Sequence, residues 1–145
     1  MQQLLYGDEH RVEYARHWST VWSNVLIGRS GGSERNSPVN RDGMLKYLRD
    51  SFAHNKPYDL LVSELVSATG TNVPGSDNFN GAVNFLSGKL DEESSQATAQ
   101  NSRIFLGLQV QCTQCHNHPF NEWKQNQYWQ MNSFFSQTTT LRRFQ

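Results

Sequence analysis

Both cysteines of the chain, Cys112 and Cys115, lie three residues apart, which restricts how this chain of 145 residues can be stabilised. A disulfide between them would close a very small loop and would add little stability. Burial must then stabilise the fold, although only 36% of the residues are hydrophobic and the mean hydropathy is -0.71. Aromatic residues, in contrast, reach 12%. This composition predicts that something besides aliphatic side chains helps to fill the interior.

Apolar residues recur at helical spacing along most of the chain, and no segment alternates convincingly as a strand. In the first predicted helix the apolar stripe consists of Tyr14, Trp18, Val21 and Val25. The spacing predicts five helices, over residues 8 to about 27, from Leu45 to near Asn55, from Pro57 to Gly70, over about 97 to 112, and over 121 to 136. The sequence therefore predicts an all-α fold, a compact bundle of four to five helices with long loops. The length predicts a single domain over residues 1–145.

The segment Cys112-Thr113-Gln114-Cys115-His116 has the C-x-x-C-H pattern by which a c-type haem is attached. In such sites two thiols form thioethers with the porphyrin and the adjacent histidine binds the iron. Residues three apart on a helical turn project from the same side, so both thiols can reach one edge of the ring. The motif predicts one covalently attached haem c per chain, held by Cys112 and Cys115, with His116 as the proximal axial ligand.

Three other interpretations of the cysteines are weaker. A zinc site could use Cys112, Cys115, His116 and His118, but four ligands within seven residues are strained, and zinc sites normally take ligand pairs from separated segments. A dithiol oxidoreductase would place C-x-x-C in a βαβ context, which this chain lacks. A structural disulfide would contribute little.

Several stretches together resemble a known family. They are "YARHW" (14–18), "GRSGG" (28–32), "NKPYDLLVSELVSATG" (55–70), "GAVNFL" (81–86), "RIFLGLQVQCTQCHNHPF" (103–120) and "YWQMNSFF" (128–135). The chain resembles the planctomycete cytochrome C like domain, found in large exported bacterial proteins, over nearly its whole length. The resemblance implies a haem c domain on the exported side of a membrane. Members of that family usually carry Asp where this chain has Asn117.

A haem would supply the large apolar group that the composition lacks, and aromatic and aliphatic side chains would line it. We expect Phe105 and Leu108, on the same predicted helical face as Cys112, to contact the haem, together with Phe120 and Trp18. His118 is expected to make local hydrogen bonds rather than to bind iron.

For the distal ligand the sequence favours His17, which borders the predicted stripe of the first helix. His10 is the runner-up, and Met44 or an open site are further alternatives. His54, at the predicted end of the second helix, is expected to cap that helix.

The sequence favours electron transfer through one low-spin haem over an enzymatic activity. A haem enzyme or gas-binding domain with an open distal site, or a structural haem module in a larger assembly, are the alternatives. The 13 basic and 13 acidic residues balance, which gives no global field that favours nucleic acid. No segment is long enough to span a bilayer.

The expected partner is a redox protein or a neighbouring domain of the same precursor, and homo-oligomers are possible. We expect a periplasmic or otherwise exported location, with an export signal upstream of Met1, because thioether formation requires reduced thiols and haem together on the exported side.

Overall fold

The computed structural model describes residues 7–34, 36–90 and 92–140. These ranges contain six α-helices and no strand, apart from an isolated bridge between Thr71 and Phe79. The helices are α1 (Arg11–Ile27), α2 (Arg41–Ala53), α3 (Tyr58–Val66), α4 (Asn84–Ser87), α5 (Ser95–Phe105) and α6 (Gln125–Ser136). Short 3-10 turns occupy Asp8–His10, Gly81–Val83, Glu92–Ser94 and Gln111–Gln114. The predicted all-α fold is confirmed.

The backbone divides into two compact units, Met1–Phe85 and Leu86–Gln145. In the first unit α1 packs against α2, and the turn Gly81–Val83 lies against α2 and α3. The larger apolar side chains buried in this unit are Leu26, Met44, Leu48, Leu61, Leu65 and Phe85. In the second unit α6 packs against both α5 and the turn Gln111–Gln114. A single domain over residues 1–145 stays a prediction.

The buried face of α1 differs from the predicted apolar stripe. It consists of Ala15, Ser19, Ser23 and Leu26. Tyr14, Trp18 and Val25 are instead 47%, 39% and 46% exposed. The buried hydroxyls are satisfied, since Ser19 Oγ donates to the Arg16 carbonyl at 2.9 Å and Ser23 Oγ accepts from the Arg41 guanidinium at 3.1 Å. The prediction that the aromatic stripe is buried is therefore wrong, because small side chains fill the face of α1 that packs in the core.

Helix α5 ends at Phe105, seven residues before the predicted end at 112. Gly107 adopts φ +69°, a left-handed conformation that ends helices and that glycine adopts at little cost. The Leu108 N–H folds back to donate to the Ser102 carbonyl at 2.9 Å. Leu108 and Cys112 consequently lie beyond the helix, and the prediction that they share a helical face with Phe105 is wrong.

Buried polar groups fix α6 against the start of α5. Thr98 Oγ1 donates to Asn132 Oδ1 at 2.6 Å, and Asn132 Nδ2 donates to the Glu93 carbonyl at 3.0 Å. Tyr128 Oη donates to the Ser95 carbonyl at 3.2 Å. Because buried hydrogen bonds are directional and costly to leave unmade, they set the position of α6. None of the helices described has the combination of length and apolar character that crossing a membrane requires.

Candidate functional site

Cys112 and Cys115 lie on the 3-10 turn between α5 and α6, with Cys115 as the residue that ends the turn. Both side chains are free thiols and both are exposed. A 3-10 turn has three residues per revolution, so residues i and i+3 project from the same side. The spacing would place the two thiols on the same side of a regular turn, which stays a prediction because Cys115 follows the last residue of this one, Gln114.

Thr113 fixes this turn to the interior. Its side chain is 1% exposed, and its Oγ1 donates to the carbonyl of Val110 at 2.5 Å. The backbone N–H of Thr113 donates to the same carbonyl at 2.9 Å. Since Val110 is also buried, the middle of the motif faces inward while the cysteines on either side of Thr113 face solvent.

Two side chains at the start of α6 hold the peptide groups of the motif. Gln125 Nε2 donates to the carbonyls of Gln114 at 3.1 Å and Cys115 at 3.0 Å. Trp129, one turn further along α6, donates from Nε1 to the Gln114 carbonyl at 3.1 Å. The carbonyls at the end of the turn would otherwise lack partners within it, so these bonds tie the motif to a rigid helix.

Asn117 connects the same helix to His116. Its side-chain Oδ1 accepts a hydrogen bond from the Gln125 backbone N–H at 3.0 Å, at the N-terminus of α6. Its backbone oxygen lies 2.7 Å from Nδ1 of His116. A carbonyl oxygen can only accept, so in the neutral ring of His116 the proton lies on Nδ1 and the lone pair on Nε2.

His118 has the opposite tautomer. Its Nδ1 accepts from the Phe120 backbone N–H at 3.1 Å, which places the proton of the neutral ring on Nε2. Its own backbone N–H donates to the Trp123 carbonyl at 2.9 Å. The local hydrogen-bonding role expected for His118 is thus confirmed, and His116 is the histidine of this loop whose Nε2 is free to bind a metal.

Tyr128 of α6 lies close enough to the motif for its ionisation to depend on it. Burial raises the pKa of the Tyr128 hydroxyl, a hydrogen bond with the Ser95 side chain lowers it, and negative charge at Cys115 raises it further. The phenol therefore stays protonated at neutral pH, and a hydroxyl in this state contributes no charge to the site.

The side chains expected to line a haem are only partly gathered around the motif. Phe105 and Leu108 are half-buried in the segment that leads into the turn. Phe120 is 92% exposed and contacts the His118 ring edge-on, with the ring centroids 6.3 Å apart. Trp18 belongs to the first compact unit, where its ring lies against Tyr14.

The candidates for a second axial ligand all lie in the first compact unit. His17 is exposed and contacts Trp18 edge-on at 5.4 Å, so the prediction that it borders the buried stripe is wrong, because α1 buries its small-residue face. His10 has its Nε2 3.4 Å from a carboxylate oxygen of Glu9. Met44 is fully buried in the core. Ligation by His17 stays a prediction.

His54 is the C-terminal cap of α2, as expected from the sequence, and its Nδ1 donates to the Asp50 carbonyl at 2.7 Å. Within the described parts of the chain, no three or more His, Cys, Asp or Glu side chains are arranged to hold a metal ion. This weakens the four-ligand zinc alternative further, because such a site needs its ligands to converge on one point.

Sequence patterns did not indicate Gln125 as part of the site, because nothing distinguishes it from the neighbouring polar residues. Trp129 is recognisable in the sequence as an aromatic residue that could line a haem, but not as a donor to the motif. Asn117 stands out because the family that the chain resembles usually carries Asp there, but the partners of its hydrogen bonds do not follow from the sequence.

Residues 2–140 match the model of the PSCyt2 family, whose description is "Protein of unknown function (DUF1549)". The chain therefore belongs to this family. No curated protein and no solved structure matches the chain.

Proposed function

We propose that this member of the PSCyt2 family is a monohaem c-type cytochrome domain that acts in electron transfer. Its haem would be attached through Cys112 and Cys115, with His116 as the proximal axial ligand. The family name is consistent with a planctomycete cytochrome-like domain. The haem iron would supply a one-electron couple, and the chain would supply attachment, ligation and orientation.

The observation that carries this proposal is the arrangement of three groups within five residues. Two free, exposed thiols lie on either side of the buried Thr113, three residues apart, on a 3-10 turn and its cap. In the neutral ring of the next residue, His116, the lone pair lies on Nε2, because Nδ1 donates its proton to the Asn117 carbonyl. Metal-bound histidines usually donate their other N–H to a carbonyl or carboxylate, which fixes the ring and raises its basicity. The donor set therefore fits a c-type haem.

The attachment step would use the two thiols of the chain and the two vinyl groups of the haem, and it needs no further reactant. Each Sγ–H would add across a vinyl group, so that an Sγ–C bond forms and the thiol hydrogen passes to the neighbouring vinyl carbon. The addition is redox-neutral and requires both cysteines in the reduced state. The hydrogen bonds from α6 to the carbonyls of Gln114 and Cys115 would keep the second thiol and His116 in a fixed relation.

A second cluster of titratable groups in the first unit has a structural explanation. Tyr47 Oη donates to Glu64 Oε2 at 2.8 Å, and Lys56 forms a short hydrogen bond to the same oxygen. Burial, followed by the bond to Glu64, raises the pKa of Tyr47, whereas the bond from Lys56 lowers the pKa of Glu64. Both shifts keep Tyr47 protonated and Glu64 ionised at neutral pH. The cluster therefore stabilises the packing of α2 against α3 and is poorly suited to proton transfer.

The proposed partner is a redox protein or a neighbouring domain of a longer exported protein. Covalent attachment of this kind requires haem and reduced thiols in the same compartment, so we propose that the holoprotein forms on the exported side of a membrane.

Covalent attachment gives the direct test. The holoprotein should retain its pigment through acid-acetone extraction and denaturing electrophoresis, because thioether bonds survive both treatments. Cys112→Ser or Cys115→Ser should leave a single linkage or no haem, and His116→Ala should remove the proximal ligand. His118→Ala, in the same loop, is the matched control and should retain the haem with its low-spin spectrum.

Pigment that extracts freely from the unaltered protein would refute the proposal of a c-type haem. Rapid carbon monoxide binding by the unaltered ferrous protein would instead favour the gas-binding or enzymatic alternative over electron transfer, because an iron with two protein ligands has no open position.

A further inference from the structure

His116 is exposed, so its orientation depends on the hydrogen bond that it makes rather than on packing. The partner of its Nδ1 is the backbone oxygen of Asn117, the next residue in the chain, at 2.7 Å. The peptide groups of an exposed loop can rotate. The Asn117 oxygen can therefore orient the His116 ring only if other contacts hold its peptide group in place.

Two bonds supply this support. The His118 backbone N–H, in the same peptide group as the Asn117 carbonyl, donates to the Trp123 carbonyl at 2.9 Å, and the side chain of Asn117 adds a second anchor. Its Oδ1 accepts the Gln125 backbone N–H at 3.0 Å, one of the otherwise unpaired N–H groups at the start of α6. Helix α6 is itself fixed to the start of α5 through Thr98 and Asn132. A continuous series of hydrogen bonds therefore runs from the buried interface of the second unit to the imidazole.

We propose that Asn117 is the positioning residue of His116, because its side chain, bound to the N-terminus of α6, holds in place the backbone oxygen that receives the Nδ1 proton. This inference rests on the proposed function for its effect on the iron. The Nδ1 hydrogen bond increases electron donation from the ring and so favours the ferric state. Releasing the Asn117 side chain would weaken that bond and raise the reduction potential of the iron.

The test compares holoproteins that carry Asn117→Ala, Asn117→Asp or Asn121→Ala. Asn121 is the matched control, because it is an exposed asparagine of the same loop whose Oδ1 accepts the Trp123 N–H at 3.0 Å without touching the motif. The readouts are the exchange rate of the His116 Nδ1 proton with solvent, measured by NMR of the ferrous protein, and the reduction potential.

In Asn117→Ala we expect the Nδ1 proton to exchange roughly tenfold faster and the potential to rise. Asn117→Asp keeps an acceptor that the helix N-terminus favours, so exchange should stay slow while the added negative charge lowers the potential. Asn121→Ala should match the unaltered protein in both measurements. Unchanged exchange and potential in Asn117→Ala, or equal changes in Asn121→Ala, would overturn the inference.

The role of Asn117 can be tested separately from the proposed haem. If the unaltered protein carries no covalent haem, nitrogen NMR of the same full-length chain still reports the tautomer of His116. We expect the Nδ1-protonated form in the unaltered chain and in Asn117→Asp, and a mixture of both tautomers in Asn117→Ala. A mixture in the unaltered chain would refute the role of Asn117 independently of any haem.

Discussion

His17 is the residue on which the coordination of the proposed haem depends most. It is exposed on α1, and its ring contacts Trp18. If it is the distal ligand, His17→Ala should convert the iron to a high-spin state that binds carbon monoxide readily, as recorded by absorption spectroscopy. His54→Ala is the matched control, because His54 is an exposed histidine that serves as the cap of α2. An unchanged low-spin spectrum in His17→Ala would direct attention to His10 or a methionine.

The sequence nominates site residues, whose role in binding haem stays a prediction, but it does not give their surroundings. The thiols and His116 follow from the spacing of the motif alone. The proton on Nδ1 of His116 does not, because it depends on where the backbone places the Asn117 oxygen. His17 shows the same limit, since the helical period gives the relative directions of side chains but does not decide which face of the helix is buried.

At the scale of the elements, the main difference from the sequence-based prediction is that α5 ends at Phe105 and does not continue to Cys112. Gly107 has φ +69°, and a β-carbon added there would meet nothing within 4 Å. Gly107→Ala should therefore lower the free energy of unfolding by about 1 kcal/mol through backbone strain alone. Chemical denaturation measures this change. If a helix continued to Cys112, the same substitution would be stabilising, because alanine is the better helix former.

Gly75→Ala provides a matched control in the first unit. Gly75 has φ +82°, and its added β-carbon would also meet nothing within 4 Å. We expect a similar loss of stability from both substitutions.

The sequence predicted the start of a helix closely where a proline marks it. Pro57 is the N-terminal cap of α3 rather than part of its first turn, and α3 ends at Val66 rather than at the predicted Gly70. Helix α6 contains the predicted Tyr128 and Phe135 on its buried face. The end of α5 was missed because apolar residues continue at helical spacing beyond Gly107. The left-handed conformation of Gly107 ends the helix despite the apolar residues that continue at helical spacing.

At the scale of the whole molecule, Lys89 makes stability depend on pH. Its side chain is 9% exposed, and burial lowers the pKa of its ammonium group from 10.5 to about 8. Between these values the unfolded chain binds more protons than the folded one, so the free energy of unfolding rises with pH from about 8 to about 10.5. At pH 7 both states are protonated and the full cost of burying the charge is present.

Lys89→Met keeps the apolar stem and removes the charge. Removal of the buried charge should contribute up to about 3 kcal/mol to the free energy of unfolding at pH 7 and less at pH 10, and loss of the interaction that Lys89 makes offsets part of this gain at both pH values. Thermal or chemical denaturation at both pH values measures the difference. Lys46→Met, on the exposed side of α2, should change stability by no more than about 0.5 kcal/mol at either pH. An equal gain at pH 7 and pH 10 for Lys89→Met would contradict the conclusion that burial lowers the pKa of Lys89.

The exposure of two thiols only three residues apart has a consequence for how the protein is made. The closeness that lets both sulfur atoms reach one cofactor also leaves them open to oxidation, with electrons lost to an acceptor such as dioxygen. In every newly made chain, haem attachment competes with oxidation of the two thiols to a disulfide. Formation of the disulfide removes both nucleophiles at once. The yield of finished protein would depend less on the stability of its fold than on how long the cell keeps this pair of sulfur atoms reduced.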